Sequence, residues 1–211
     1  MKLYSGLGIE FRVAPNEQFI AAEPAGVELA LLDGQGQLLR GFDLAQLSDH
    51  QPDEFYADIG LTKWSEDSRV FWGELVIMGR PLLLYRLEAA TWQPQRFDVS
   101  NLPLYWEDDL NPNTGQLVYS DYPSLITAEA GEEFEKSGQT VTLFVYDPAT
   151  QKARPIATAT AQAFRPKWLD DHTFEYDDPN GEGRLMYTLT GVEEFDGKTY
   201  AQNFLRCPFR D

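Results

Sequence analysis

The sequence predicts an all-β fold, and three observations carry that prediction. Apolar residues alternate with polar ones at the period of a strand, clusters of Gly, Pro, Asn and Asp separate the alternating runs, and one strand–turn–strand pattern recurs four times. The alternating runs are Ile9–Val13, Val27–Leu32, Gln37–Phe42, Arg69–Leu75, Leu82–Leu87, Gln116–Tyr119, Thr142–Tyr146, Thr173–Tyr176 and Arg184–Thr190. One stretch departs from them. Over Ser124–Lys136 alanines and glutamates accumulate, but Gly131 interrupts it and its apolar face is scant, which leaves two readings, a helix or a solvated loop.

The repeat is visible when Val27–Leu44, Leu82–Val99, Thr142–Ala159 and Arg184–Ala201 are laid over one another. A shorter strand after a polar turn precedes each, in Pro15–Ala22, Ser65–Trp72, Asn111–Tyr119 and Leu169–Tyr176. An acidic insertion near Tyr122–Gln139 lengthens the third unit. Units this short cannot bury their own faces, so they must stack on one another. The expectation is a single domain over residues 1–211. At this length a chain buries roughly 70% of its unfolded surface and needs no staple.

Composition narrows the function classes. The chain has 34 Asp and Glu against 17 Lys and Arg, a formal net charge of −17. Such a surface repels phosphate backbones and anionic lipid, so neither nucleic acid nor membrane is an expected partner, whereas a basic protein is attracted. A single cysteine, Cys207, forms no internal bridge and fits a reducing compartment. No apolar run reaches the ~18 residues of a membrane helix, and Met1–Pro15 has no continuous hydrophobic region. A cytoplasmic location is the expectation.

Candidate chemistry is sparse. His50 and His172 sit in separate loops without an attached nucleophile motif, and there is no Gly-x-Ser-x-Gly elbow. One cysteine and two isolated histidines do not make a zinc spacing, and Gly6-Leu7-Gly8 lacks the third glycine of a phosphate loop. Two oxygen-rich segments, Asp109–Gly115 and Asp177–Glu182, have some of the ligands of a calcium loop but are better explained as hairpin turns. No catalytic residue, metal site or cofactor is therefore expected.

At Trp64-Ser65-Glu66-Asp67-Ser68-Arg69-Val70-Phe71-Trp72 the sequence resembles the "W-S-P-D-G-K-x-I-A-F" opening of blades in TolB-like and prolyl-oligopeptidase-like β-propellers. Leu143–Lys152 resembles the "L-Y-V-x-D-x-x-T-G-K" hairpin of the same blades, and Phe164–Tyr176 is a third, partial match. The pattern departs at Ser68 and Gln151, where those blades prefer glycine, and four units are fewer than the usual six to eight. What the resemblance implies is a WD40-like blade repeat, either a small or incomplete propeller or a β-sandwich derived from the repeat. It also implies that the turn aspartate caps its own backbone while the preceding aromatic packs on the adjacent blade. Trp64, Trp72, Trp106 and Trp168 are thus expected in the core, and Trp92, in a turn, is expected to be the most exposed of the five.

Acid collects at Glu107–Asp109, Glu129–Glu135 and Asp170–Asp178, all placed by the repeat in connections or turn tips. The expected partner-binding residues are Asp108, Asp109, Glu132, Glu133, Glu135, Asp170 and Asp171, with Trp106 and Tyr122 as aromatic anchors. The functional expectation is a non-catalytic protein-binding module, in its specific form an acidic inhibitor of the immunity type that neutralises a basic partner. The alternatives are a carboxylate-dependent enzyme acting on carbohydrate, which needs two acids across a sugar-sized cleft, and a TolB-like accessory module.

Overall fold

A computed structural model describes residues 10–23, 28–47, 57–77, 80–102, 109–123, 128–181, 183–189 and 205–206. They form four antiparallel sheets, each of four strands. The first sheet is β1 (Glu10–Val13), β2 (Phe19–Glu23), β3 (Glu28–Asp33) and β4 (Leu38–Asp43), followed by a single turn of helix, α1 (Leu44–Leu47). The second is β5 (Ala57–Trp64), β6 (Val70–Ile77), β7 (Arg80–Glu88) and β8 (Pro94–Asp98). The third is β9 (Asp109–Leu110), β10 (Leu117–Ser120), β11 (Thr140–Asp147) and β12 (Lys152–Thr160), with helix α2 (Ala128–Ser137) between β10 and β11. The fourth is β13 (Lys167–Trp168), β14 (Thr173–Asp177), β15 (Arg184–Thr188) and β16 (Leu205–Arg206).

In every sheet the spatial order follows the chain order. A four-stranded meander of this kind is the build of a propeller blade, and four separate sheets replace the two of a sandwich. The repeated hairpins are strands three and four of each sheet. The fourth unit differs in detail: β15 pairs with Leu205–Arg206, beyond the Arg184–Ala201 span in which the pattern placed its return strand. Strand β5 has no counterpart among the runs above. Its sequence, ADIGLTKW, breaks its alternation at Gly60 and carries a bulge between Leu61 and Lys63.

The chain divides into two compact units, Met1–Leu102 and Pro103–Asp211, each holding two sheets. In the first unit Ala21, Leu29, Leu31 and Phe42 of the first sheet pack on Ile59, Phe71, Leu75, Tyr85 and Leu87 of the second. In the second unit Val118, Leu143 and Val145 pack with Phe174 and Tyr176. Close packing is strict at Gly73. Any Cβ there would meet the Tyr85 ring and hydroxyl, and that hydroxyl reaches across to the Gly60 carbonyl at 3.4 Å.

Each first hairpin turn closes in the same way. The amides of Ala14, Ser65, Asn111 and Leu169 donate to the carbonyls of Phe19, Val70, Gln116 and Thr173. Side-chain oxygens cap these turns. Asn16 Oδ1 accepts the Gln18 amide, Asp67 Oδ1 the Arg69 amide, Asn111 Oδ1 those of Asn113 and Thr114, and Asp170 Oδ1 those of His172 and Thr173. The aromatic that precedes the turn packs inward, as expected. Trp64 stacks on Phe19, lies 5.0 Å from Phe71, and donates its indole N–H to the Arg12 carbonyl at 2.9 Å. Trp168 donates to the Asp109 carbonyl at 3.1 Å.

Trp92 is the least buried of the tryptophans among the described residues, as expected, yet it is not free in solvent: it is half-buried, edge-on to both Phe19 and Trp64, because its φ of 51° turns the β7–β8 loop back over the core.

The departures from the glycine pattern are left-handed positions held by other residues: Ser68 has φ 61° and Gln151 φ 56°. They are not equivalent. The Ser68 hydroxyl accepts the Asn16 amide at 3.0 Å and so ties the second sheet to the first, whereas Gln151 is exposed at the β11–β12 turn. Left-handed backbone costs a non-glycine residue about 1 kcal/mol. Gln151→Gly is therefore expected to raise unfolding stability in urea by up to about 1 kcal/mol. Ser68→Gly should give no gain, because relief of strain is offset by about 1 kcal/mol for the amide it orphans.

Candidate protein-binding surface

The acidic residues separate into two kinds when each carboxylate is followed to its partners. Aspartates in the turns are bound into the fold. Asp109 Oδ2 accepts the Trp168 amide at 2.7 Å and is half-buried between β9 and β13. Asp170 caps its own turn, and the His172 and Thr173 amides hold its carboxyl below the ordinary aspartate range. Asp171 Oδ1 accepts Asn113 Nδ2 at 2.6 Å, and Asn111 Nδ2 donates to the Asp170 carbonyl at 3.0 Å. These bonds join the first turn of the third sheet to that of the fourth. Asp67 and Asp98 are lowered in the same manner, by the Ser65 and Ser100 hydroxyls and then by backbone amides.

The glutamates of α2 are of the other kind. Ala130, Gly131 and Phe134 face inward, half-buried, and Phe134 sits edge-on to Tyr122 at 5.1 Å. Glu129, Glu132, Glu133 and Glu135 are exposed. Glu132 pairs with Lys136 one turn along at 3.3 Å, a solvated contact of little energetic weight, and Glu133 and Glu135 make no ion pair among the described residues. The helix exists because Phe134 and Tyr122 anchor it against the core of the second unit. It ends where Ser137 Oγ donates to the Phe134 carbonyl and Gly138 adopts φ 67°.

The structure therefore brings some of the expected residues together and separates others. Asp109, Asp170 and Asp171 share one end of their sheets. Strand β10 runs from the 111–116 turn toward α2, which puts Glu132, Glu133, Glu135 and Tyr122 at the opposite end. Trp106 and Asp108 lie outside the described residues, as do His50 and Cys207. His172 is exposed, with its amide engaged by Asp170. The two oxygen-rich segments are hairpin turns whose Asn111 and Asp178 oxygens accept backbone amides.

Sequence reasoning missed Glu74. It stands on β6, paired across with Gly60, and its carboxylate packs where a Cβ on residue 60 would be. Burial, reinforced by the negative charge of Glu10, raises its pKa above the ordinary glutamate value. A glutamate in an alternating strand looks solvent-facing, and only the glycine opposite hints at the space it occupies.

No known family model matches the sequence, and no curated protein matches it. Solved structures match at low identity. An oligogalacturonate lyase in complex with manganese aligns over 94% of this chain and 53% of its own, at 15% identity and a TM-score of 0.49. The oligogalacturonate lyase of Vibrio parahaemolyticus aligns over 86% and 49%, at 17% identity and 0.49. The β-propeller domain of Cps50 (Swd1) from Myceliophteria thermophila aligns over 92% and 70%, at 12% and 0.39. The chain spans about half the length of the lyases it matches. No helix among the described residues is long and apolar enough to cross a membrane.

The raised pKa of Glu74 has a definite sign. Folding favours its protonated form, so the ionised side chain opposes folding above the folded-state pKa, and the penalty vanishes below the unfolded-state value. Glu74→Gln should raise the Tm at pH 7, with the gain shrinking to nothing by about pH 4. Thermal melts across that range check it.

Proposed function

We propose that the protein is a non-catalytic binding scaffold that engages a basic protein through the exposed glutamate face of α2. The carrying observation is the contrast in partners among the acids. Turn aspartates are held by backbone amides and interblade bonds, whereas Glu129, Glu133 and Glu135 project from a helix anchored only on its opposite face. A net charge of −17 adds long-range attraction toward a cationic partner, raising association rates by about 10–10³-fold at low salt. Tyr122 and Phe134 beneath the glutamates supply apolar area beside the charge.

The resemblance of Trp64–Trp72 and Leu143–Lys152 to TolB-like blades supports the scaffold part of this reading. An inhibitor of the immunity type is its specific form, with the acidic helix covering a basic cleft in the partner. Glu74 is the described residue that favours the alternative, a carboxylate-dependent enzyme acting on carbohydrate, because a proton donor benefits from a raised pKa. Its neighbouring acid Glu10 is ion-paired to Arg12 at an exposed edge strand.

The test is affinity capture from the native cell lysate at low salt, with the wild type and the Glu132→Lys/Glu133→Lys/Glu135→Lys variant run in parallel. The expected result is a stoichiometric basic protein that the wild type retains, salt releases and the variant loses by 10-fold or more. Recovery of no such protein, or equal recovery by both, contradicts the proposal.

A further inference from the structure

An asparagine can be attacked by the backbone nitrogen of the residue that follows it, and glycine in that place obstructs the attack least. It has no Cβ beside the nitrogen, and its backbone can rotate into the geometry that brings nitrogen and side-chain carbonyl together. The sequence holds six asparagines, of which Asn180 alone precedes a glycine. It lies in the turn between β14 and β15.

That turn leaves the reacting atoms open. Asn180 and Gly181 are both exposed. Asp178 Oδ1 accepts the Asn180 backbone amide at 2.8 Å, while the Asn180 side chain has no hydrogen bond among the described residues. The Gly181 amide reaches the Asp178 carbonyl only at 3.4 Å, beyond the ~3.2 Å of a firm bond, so little holds its nitrogen in place.

Elsewhere the same chemistry is blocked. Asn16 and Asn111 commit their Oδ1 to turn amides, and Asn111 precedes Pro112, which has no amide proton to lose. Asn113 donates Nδ2 to Asp171 at 2.6 Å. The amide that follows Asn101, that of Leu102, is held by the Val99 carbonyl at 2.9 Å. Asp33-Gly34 has the right spacing, but Asp33 Oδ1 accepts the Gln35 and Gln37 amides, and an ionised carboxylate is a poor electrophile. Asn203 and Asp196-Gly197 lie outside the described residues.

We propose that Asn180 is a modification site, deamidated without an enzyme through a cyclic imide formed with Gly181. The Gly181 nitrogen gives its proton to hydroxide and bonds to Asn180 Cγ. The Cγ–Nδ2 bond breaks, and Nδ2 leaves as ammonia after taking a proton from water. A second water opens the imide at either carbonyl. Cleavage of the new N–Cγ bond gives aspartate, and cleavage of the original peptide bond gives isoaspartate. Overall one water is consumed and one ammonia released, with nothing oxidised or reduced.

Either product sets a new carboxylate beside Asp177 and Asp178 and adds one negative charge to the −17 of the chain. Isoaspartate also carries the main chain through one extra methylene, inside a turn closed by the Asp178 amide on the Gly183 carbonyl at 3.0 Å. The modification therefore loosens the end of the fourth sheet's hairpin as the protein ages.

Incubation of the intact protein for about two weeks at about 37 °C, at about pH 7 and about pH 8.5, tests it. Trypsin then releases Trp168–Arg184, in which Asn180 is the sole side-chain amide, so replacement of amide by acid is assigned from the peptide mass. Electron-transfer fragmentation separates isoaspartate from aspartate. The wild type is expected to yield both products, faster at the higher pH because the attacking nitrogen must first lose its proton. A Cβ on residue 181 would meet nothing nearer than Asp178 Oδ2 at 3.8 Å, so Gly181→Ala keeps the turn and should slow the reaction by about 10-fold. Asn180→Gln, whose attack would need a larger ring, should keep its amide. An intact Asn180 in the wild type, conversion to aspartate without isoaspartate, or equal rates in the wild type and Gly181→Ala would overturn the proposal.

Discussion

The interaction on which each unit depends is one hydrogen bond: the indole N–H at the end of a first strand, given to a backbone carbonyl on the first strand of the preceding sheet. Trp64 gives it to Arg12 and Trp168 to Asp109. A stack of blades must hold its edge strands in register without covalent links, and edge carbonyls are unsatisfied unless something reaches them. A tryptophan meets both needs, because its ring fills the gap between sheets while its single donor is spent on the neighbour. The turn that follows is shaped to present it. Ser65 Oγ accepts the Val70 amide and donates to Asp67, and Asp170 gathers two amides, which freezes the corner from which the ring projects.

Much of this was legible in the sequence because turn chemistry is local. The Trp-Ser-Glu-Asp and Trp-Leu-Asp-Asp corners announce a strand end, an Asx cap and a hairpin within a few residues, and the four-fold repeat follows from them. What was not legible depends on pairing. Strand β5 is hidden by Gly60 and the bulge at Thr62, both of which make sense only once Glu74 and Tyr85 are known to lie opposite. Trp92 sits in a turn and looks exposed, but its left-handed backbone folds it onto Trp64. The 124–136 segment resolved as a helix over Ala128–Ser137 because Phe134 finds Tyr122, a contact that no helix propensity encodes.

A run of acids in the sequence does not say what each carboxylate does: in the second unit Asp109, Asp170 and Asp171 share one end of the sheets and the α2 glutamates the other, and many of the described aspartates accept backbone amides. The carboxylate of Asp109, one of the expected partner-binding residues, holds the Trp168 amide. Aspartate, short enough to reach its own backbone, is the residue of turns, whereas glutamate on a helix reaches only solvent. The helix α2 combines that solvent-facing acid with an anchored apolar side.

The account stands or falls on whether the indole bonds are part of the cooperative core. Hydrogen exchange of the tryptophan side-chain protons, followed by NMR in the intact chain, measures this directly. The indole protons of Trp64 and Trp168 should exchange only through global unfolding, slowed by about 10³-fold or more relative to a free indole and in step with the slowest amides of β6 and β14. Exchange of both within minutes, while those amides remain protected, would mean that the sheets hold together without the bonds and that the central claim is wrong.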